Sequence, residues 1–302
     1  MKKPIRILLL LAIVVAGVWY FGLKKDHYRV SFSTKQPAAI VYNEIMKWQG
    51  NKDNGISEVA ITSQQRFANI VQTVQVGDSI FNYDWHFSKK NDSTTQVEVK
   101  ITDKNNWFSQ KLQIPFSKNN FVKRSILNVK TVSEDFVAET KKFKVHSLTD
   151  TIFESRYCVY LPLKSAVNKK ASTMLYSIGD LMGYINDNEL ELDGDPYLEV
   201  TKWDEEEATI EYNFCFPIAK SDTLPASDLV FFKESPSFRG IKAEFNGNYA
   251  IANNAWYYLL EYAEQHDLKV NKLPTELYLE DPQSGGDAMN WKAHIYLPLV
   301  NE

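Results

Sequence analysis

DLMGYINDNELELDGDPYLEV, residues 180–200, returns seventy-eight positions later as YLLEYAEQHDLKVNKLPTELY, residues 258–278. The two stretches align without a gap. Tyr184 meets Tyr262, Leu190 meets Leu268, Leu192 meets Val270, and Pro196 meets Pro274. Further on, NFCFPI (213–218) matches HIYLPL (294–299) at an offset of 81. Each copy reads strand, helix, strand, strand. An internal repeat fixes architecture more firmly than local propensity does, because each copy must bury its apolar face against the other. Two such copies imply a pseudo-two-fold α+β domain over about residues 146–302.

The repeat breaks its own symmetry at two places. Leu198 corresponds to Glu276, and Val200 corresponds to Tyr278. Both lie in PTELYLEDP (274–282), where Leu277 and Leu279 point to one face of a strand and Glu276, Tyr278 and Glu280 to the other. A carboxylate and a phenol on one strand face are either solvated surface or the floor of a site. Polar residues appearing where the first copy is apolar favour a site.

Three runs carry a family resemblance: Phe245-Asn-Gly247-Asn-Tyr249 before the second helix, Glu276-Leu-Tyr278-Leu-Glu-Asp281-Pro282, and Ala293-His-Ile-Tyr-Leu-Pro298-Leu. As a set they resemble the GyrI-like family, the effector-binding domain of AraC-type and MerR-type regulators. The resemblance implies an aromatic pocket between the two copies with Glu276 at its base, able to meet cationic amphipathic ligands. In some members this Glu takes part in hydrolysis. Tyr278, Tyr249, Trp256, Tyr257 and Trp291 are the further candidate ligand-binding residues. A buried carboxylate needs a partner. A cationic ligand supplies one, and aromatic rings add about 0.5–2 kcal/mol of cation–π attraction. One departure is Glu244, which stands where many members have His.

The first half has a different order. DHYRVSFST alternates as a strand, and QPAAIVYNEIMKWQG reads as a helix opening at Pro37. Strands follow, with Phe81, Tyr83, Trp85 and Phe87 on one face and Val97, Val99 and Ile101 on another; NDST (91–94) marks a hairpin turn between them. Val122, Ile126, Val129 and Phe136 then recur at helical spacing in a long amphipathic segment. A strand, a short helix, antiparallel strands and a long closing helix describe a helix grip. With Y-x-W-x-F and T-x-V-x-V, residues 27–145 resemble the START-like (SRPBCC) superfamily, which implies a hydrophobic ligand cavity.

At the amino terminus, residues 1–26, an uncharged apolar run of 17 residues extends from Ile7 to Leu23, with Lys2, Lys3 and Arg6 before it and Lys24 and Lys25 after. Its length matches the short end of a membrane span, and Trp19 and Tyr20 suit an interface. The expectation is an uncleaved transmembrane helix in the inner cell membrane, with the remainder on the external side.

A net charge of −4 and the lack of a helix-turn-helix argue against a nucleic-acid partner. Cys158 and Cys215 form no CxxC pair and read as two buried free thiols. The five histidines are scattered, and no P-loop, GxGxxG or GxSxG is present, so no metal or cofactor is expected. The expected function is a membrane-anchored protein that binds a small amphipathic or cationic molecule. The rivals are a hydrolase that uses Glu276 to activate water and Tyr278 to orient it, and a lipid-handling module.

Overall fold

The computed structural model describes residues 2–50, 55–91, 94–221 and 224–300. The protein is α+β, with two antiparallel sheets. The chain divides into two compact units, Met1–Val137 and Ala138–Glu302.

In the first unit, a helix α1 (Lys2–Val18) and a π-helical turn (Trp19–Leu23) precede β1 (Tyr28–Thr34) and α2 (Ala38–Lys47). Four strands follow, β2 (Ile56–Gln65), β3 (Asn69–Val76), β4 (Ser79–Asn91) and β5 (Thr94–Asp103), then α3 (Trp107–Gln113) and the long α4 (Asn120–Thr140). The sheet order is β1-β5-β4-β3-β2. Strict alternation drives it: Ile70, Val74, Phe81, Tyr83, Trp85, Val97, Val99 and Ile101 are all buried. α4 lies on this face, with Phe121 against Phe81 (centroids 5.3 Å apart) and Asn128 donating to the Tyr83 hydroxyl (3.0 Å). Its buried stripe runs through Val122, Ser125, Asn128, Val129, Val132 and Phe136. Ile126 points outward instead, because it lies one position past Ser125 on the helix. The turn expected at 91–94 falls partly on residues 92 and 93, outside the described residues.

The expected transmembrane anchor is corrected. Among the described residues no helix is long and apolar enough to cross a membrane. α1 has 17 residues, about 26 Å at 1.5 Å per residue, and its first turn is spent on Lys2 and Lys3. The apolar run then leaves α-helical geometry at Trp19. Tyr20, expected at an interface, donates its hydroxyl to the Lys111 carbonyl (3.0 Å), and Phe21 packs near Phe108. The inner-membrane placement falls with the anchor.

The second unit contains β6 (Phe143–Phe153), which straddles the boundary read from sequence at 145/146, followed by two copies of one motif. The first copy is β7 (Arg156–Ala166), α5 (Lys170–Asp187), β8 (Tyr197–Asp204) and β9 (Thr209–Pro217). β10 (Phe231–Ser235) intervenes. The second copy is β11 (Phe238–Gly247), α6 (Asn254–Gln265), β12 (Thr275–Tyr278) and β13 (Lys292–Pro298). One sheet holds all eight strands in the order β10-β7-β9-β8-β12-β13-β11-β6.

The two-fold is exact in register at its centre. β8 and β12 pair antiparallel, with Tyr197 opposite Leu277, Leu198 opposite Glu276, and Glu199 opposite Thr275. Leu198 and Glu276, equivalent in the repeat, therefore face each other on the axis, and the pairs on either side of them exchange under the two-fold. Flanking bonds obey the same symmetry: Val200 N–H donates to Pro274 O and Tyr278 N–H to Pro196 O, each at 3.0 Å. The bridges Leu192–Ile218 and Val270–Leu299 are a further equivalent pair.

This sheet also curls. β6 and β7 lie near opposite ends of the strand order, yet only Glu154 and Ser155 join them; only Pro236 and Ser237 join β10 to β11. Such short links bring the two ends together. Phe153 from the β6 edge accordingly packs on Tyr197 of central β8 (5.7 Å) and on Tyr296 (5.1 Å). The concave interior is a second core of Phe153, Cys158, Tyr197, Cys215, Leu277 and Tyr296. Glu276 and Tyr278 lie on the other face.

Candidate functional site

Strand alternation puts Glu276 and Tyr278 on one face, and every residue of β12 is buried. Glu276 has no exposed surface, which excludes the solvated reading. Burying an ionised carboxylate demands a counter-charge. It comes from Lys170, the first residue of α5, which is equally buried. The Lys170 ammonium donates to Glu276 Oε2 at 2.7 Å and to the Tyr249 carbonyl at 2.8 Å. The Tyr278 hydroxyl donates to the same Oε2 at 2.6 Å. Glu276 Oε1, also buried, has no hydrogen-bond partner among the described residues. Burial, and then the charge of Glu276, hold the Tyr278 phenol well above its ordinary range, so it stays a donor.

Aromatic rings wall this pair. Tyr249 lies 4.8 Å from Tyr278 and 5.8 Å from Trp291, centroid to centroid. Its ring is fixed at the far end, where its hydroxyl donates to Lys292 O (2.6 Å) and accepts from Glu280 N–H (3.1 Å). Gly247 delivers the chain to this turn at φ 148°, where a Cβ would meet Phe143 at 2.9 Å. From the first copy, Tyr212 donates to the Lys170 carbonyl (3.3 Å), and the Met174 sulfur lies 4.0 Å from the Tyr278 hydroxyl.

The sequence-derived candidates separate into two groups. Glu276, Tyr278, Tyr249 and Trp291 are contiguous. Trp256 and Tyr257 pack instead on Trp203, at 5.0 and 6.1 Å. The indole N–H groups of Trp203 and Trp256 are buried without a hydrogen-bond partner among the described residues. Glu244 pairs in register with both His146 and His294 across its neighbouring strands, and the Glu244 carboxylate lies 3.6 Å from His146 Nδ1.

Sequence reasoning missed Lys170. In Asn168-Lys169-Lys170 it looks like solvated surface. The repeat held the missing signal, since position 170 is equivalent to Asn248, beside Tyr249. The two-fold brings the two helix starts together, and a lysine where the other copy has asparagine is a third break of symmetry, matched to the one at Glu276. Among the described residues no group of three or more His, Cys, Asp or Glu is arranged to hold a metal.

No family model matches the chain, and no curated protein does. Several solved structures resemble it in part. The crystal structure of the EcmrR C-terminal domain is 17% identical with a TM-score of 0.44, covering 52% of this chain and all of that one. SAV2435 bound to tetraphenylphosphonium is 14% identical with a TM-score of 0.36, covering 52% of this chain and 95% of that one. A hydrolase from Listeria innocua is 14% identical with a TM-score of 0.34, covering 51% and 92%. These likenesses carry no functional inference by themselves.

Proposed function

We propose that the second unit is a binding module for a small organic cation of amphipathic shape, received at Glu276. One observation carries the reading: a fully buried carboxylate with one oxygen unpartnered, set against the rings of Tyr249 and Tyr278. Lys170 holds the cation position. A ligand cation that displaced its ammonium would meet the same carboxylate and add ring contacts. Glu276 is thus a counter-charge, with Tyr278 and Tyr249 as walls and Trp291 at the margin. A general base must be free to take a proton. Lys170 and the Tyr278 proton both bind Oε2, and the whole pair is buried from water, so the hydrolase reading is not favoured. For the first unit, the START-like reading rests on the packing of α4 against its sheet.

The test is calorimetric titration of the whole chain with tetraphenylphosphonium, alongside neutral triphenylphosphine oxide. Two variants should move in opposite directions. Glu276→Gln weakens cation binding at least about tenfold, and Lys170→Met strengthens it, while the neutral compound distinguishes neither. Cation binding unaltered in both variants overturns the reading.

A further inference from the structure

The thiols lie on the sheet face that Glu276 does not use. Cys158 on β7 pairs with Pro217 and Cys215 on β9 pairs with Tyr160, so the cysteines are diagonal neighbours on one face of adjacent strands. Both are free and buried. A short polar chain leads away from them. The Cys158 sulfur is 3.1 Å from the Tyr197 hydroxyl, which is 2.7 Å from the Ser235 hydroxyl. Lys233 sits directly across from Cys158 on β10. Its ammonium pairs with Glu199 and lies 5.2 Å over the Tyr160 ring. An apolar core does not require two sulfurs, a phenol, a serine and an ion pair to converge.

We propose that Cys158 and Cys215 are a peroxide-responsive thiol pair, in which Cys158 is oxidised first and Cys215 closes a disulfide onto it. Two features distinguish the sulfurs. The neighbouring Cys215 thiol, then the Tyr197 hydroxyl and the Lys233 charge, draw Cys158 down to about 7, while the Cys215 sulfur donates to the Asn213 carbonyl (3.7 Å). Burial pushes Cys215 well up, keeping it a thiol and a donor. A buried thiol is ordinarily inert. Here Lys233, directly across from Cys158, and its partner Glu199 are partly exposed, and hydrogen peroxide is little larger than water.

The chemistry balances. The Cys158 thiolate attacks one peroxide oxygen, the O–O bond breaks, and the leaving hydroxide takes up the proton that Cys158 had lost, departing as water. Cys158 is now a sulfenic acid. Cys215 attacks its sulfur, the S–O bond breaks, and the oxygen leaves with the Cys215 proton as a second water. Two thiols are oxidised and one peroxide is reduced. Diagonal positions lie about 7–8 Å apart, just past the usual disulfide span, so closure draws β7 and β9 together and leaves the Cys158 sulfur able only to accept from Tyr197.

The experiment treats the full-length chain with hydrogen peroxide near neutral pH, counts thiols after denaturation, and maps linked peptides. Both thiols should disappear together, with the Cys158 and Cys215 peptides joined within one chain. In Cys215→Ser, dimedone should trap a sulfenic acid at Cys158. In Cys158→Ser, Cys215 should react at least about tenfold more slowly. Lys233→Met, which leaves both thiols in place, should slow the wild-type reaction several-fold. Thiols that survive excess peroxide, links only between chains, or faster oxidation of Cys215 would each overturn the proposal. Because none of these readouts involves Glu276, the outcome is independent of cation binding.

Discussion

Lys170 and Glu276 share one buried salt bridge, and its energetics are set by what each loses from water. Removing one partner leaves a stranded charge. Lys170→Met should therefore cost about 3–5 kcal/mol in denaturant unfolding. The repeat supplies the control. The first copy already places Leu198 where the second has Glu276. The double variant Lys170→Met, Glu276→Leu removes both charges, puts the first copy's leucine at position 276, and should lie within about 1 kcal/mol of wild type, or above it. If the two losses simply add, the residues act independently and the salt bridge carries no coupling energy. At this scale the sequence was half legible. Glu276 and Tyr278 stood out because they break a repeat. Lys170 did not, since nothing local distinguishes a buried lysine from an exposed one.

Where β1 begins, the amino-terminal helix is latched rather than free. The Lys111 ammonium, on α3, donates to the carbonyls of Lys24 (2.5 Å) and Asp26 (3.1 Å) and lies over the Tyr20 and Trp107 rings. Beside it, buried His27 accepts the Asp103 N–H at Nδ1 (3.0 Å). Burial, and then the Lys111 charge, depress His27 to about 4. Protonating Nδ1 would set two donors against each other, so the folded state keeps the neutral ring. The unfolded chain takes the proton below the ordinary value of 6.5. This contribution to stability is thus complete well above pH 6.5 and lost as the pH falls toward 4, about 3 kcal/mol across the window. His27→Gln should flatten that slope in urea melts taken at both ends. An unchanged slope would mean that His27 titrates normally. Hydropathy read this region as a membrane span because a run of apolar letters does not register the π-helical turn at Trp19 or the distant Lys111 that captures Tyr20.

The symmetry of the second unit was legible at the level of the whole molecule, but its closure was not. Periodicity revealed two copies; their pairing across β8 and β12 emerges only in the structure. It could not reveal that β6, outside both copies, completes the sheet. β6 pairs along β11 from Phe238–Phe153 to Gly247–Phe143, and its Phe153 fills the concave core between Tyr197 and Tyr296. A fragment starting at residue 138 keeps this strand, whereas one starting at residue 155 has both complete copies without it. The shorter fragment loses its cover over Tyr197, Tyr296 and Phe238 and presents β11 as an open edge, a template for association. We expect the 138–302 fragment to be monomeric and to unfold in one cooperative transition, and the 155–302 fragment to associate or to melt at markedly lower temperature. Scattering and circular dichroism on the two fragments decide it. Equal behaviour would mean that two copies suffice and β6 is an appendage. The outcome bears on the thiol pair too, because Cys158 and Cys215 lie in the core that β6 helps to close. Loss of β6 should therefore expose both sulfurs to peroxide and abolish the preference for Cys158.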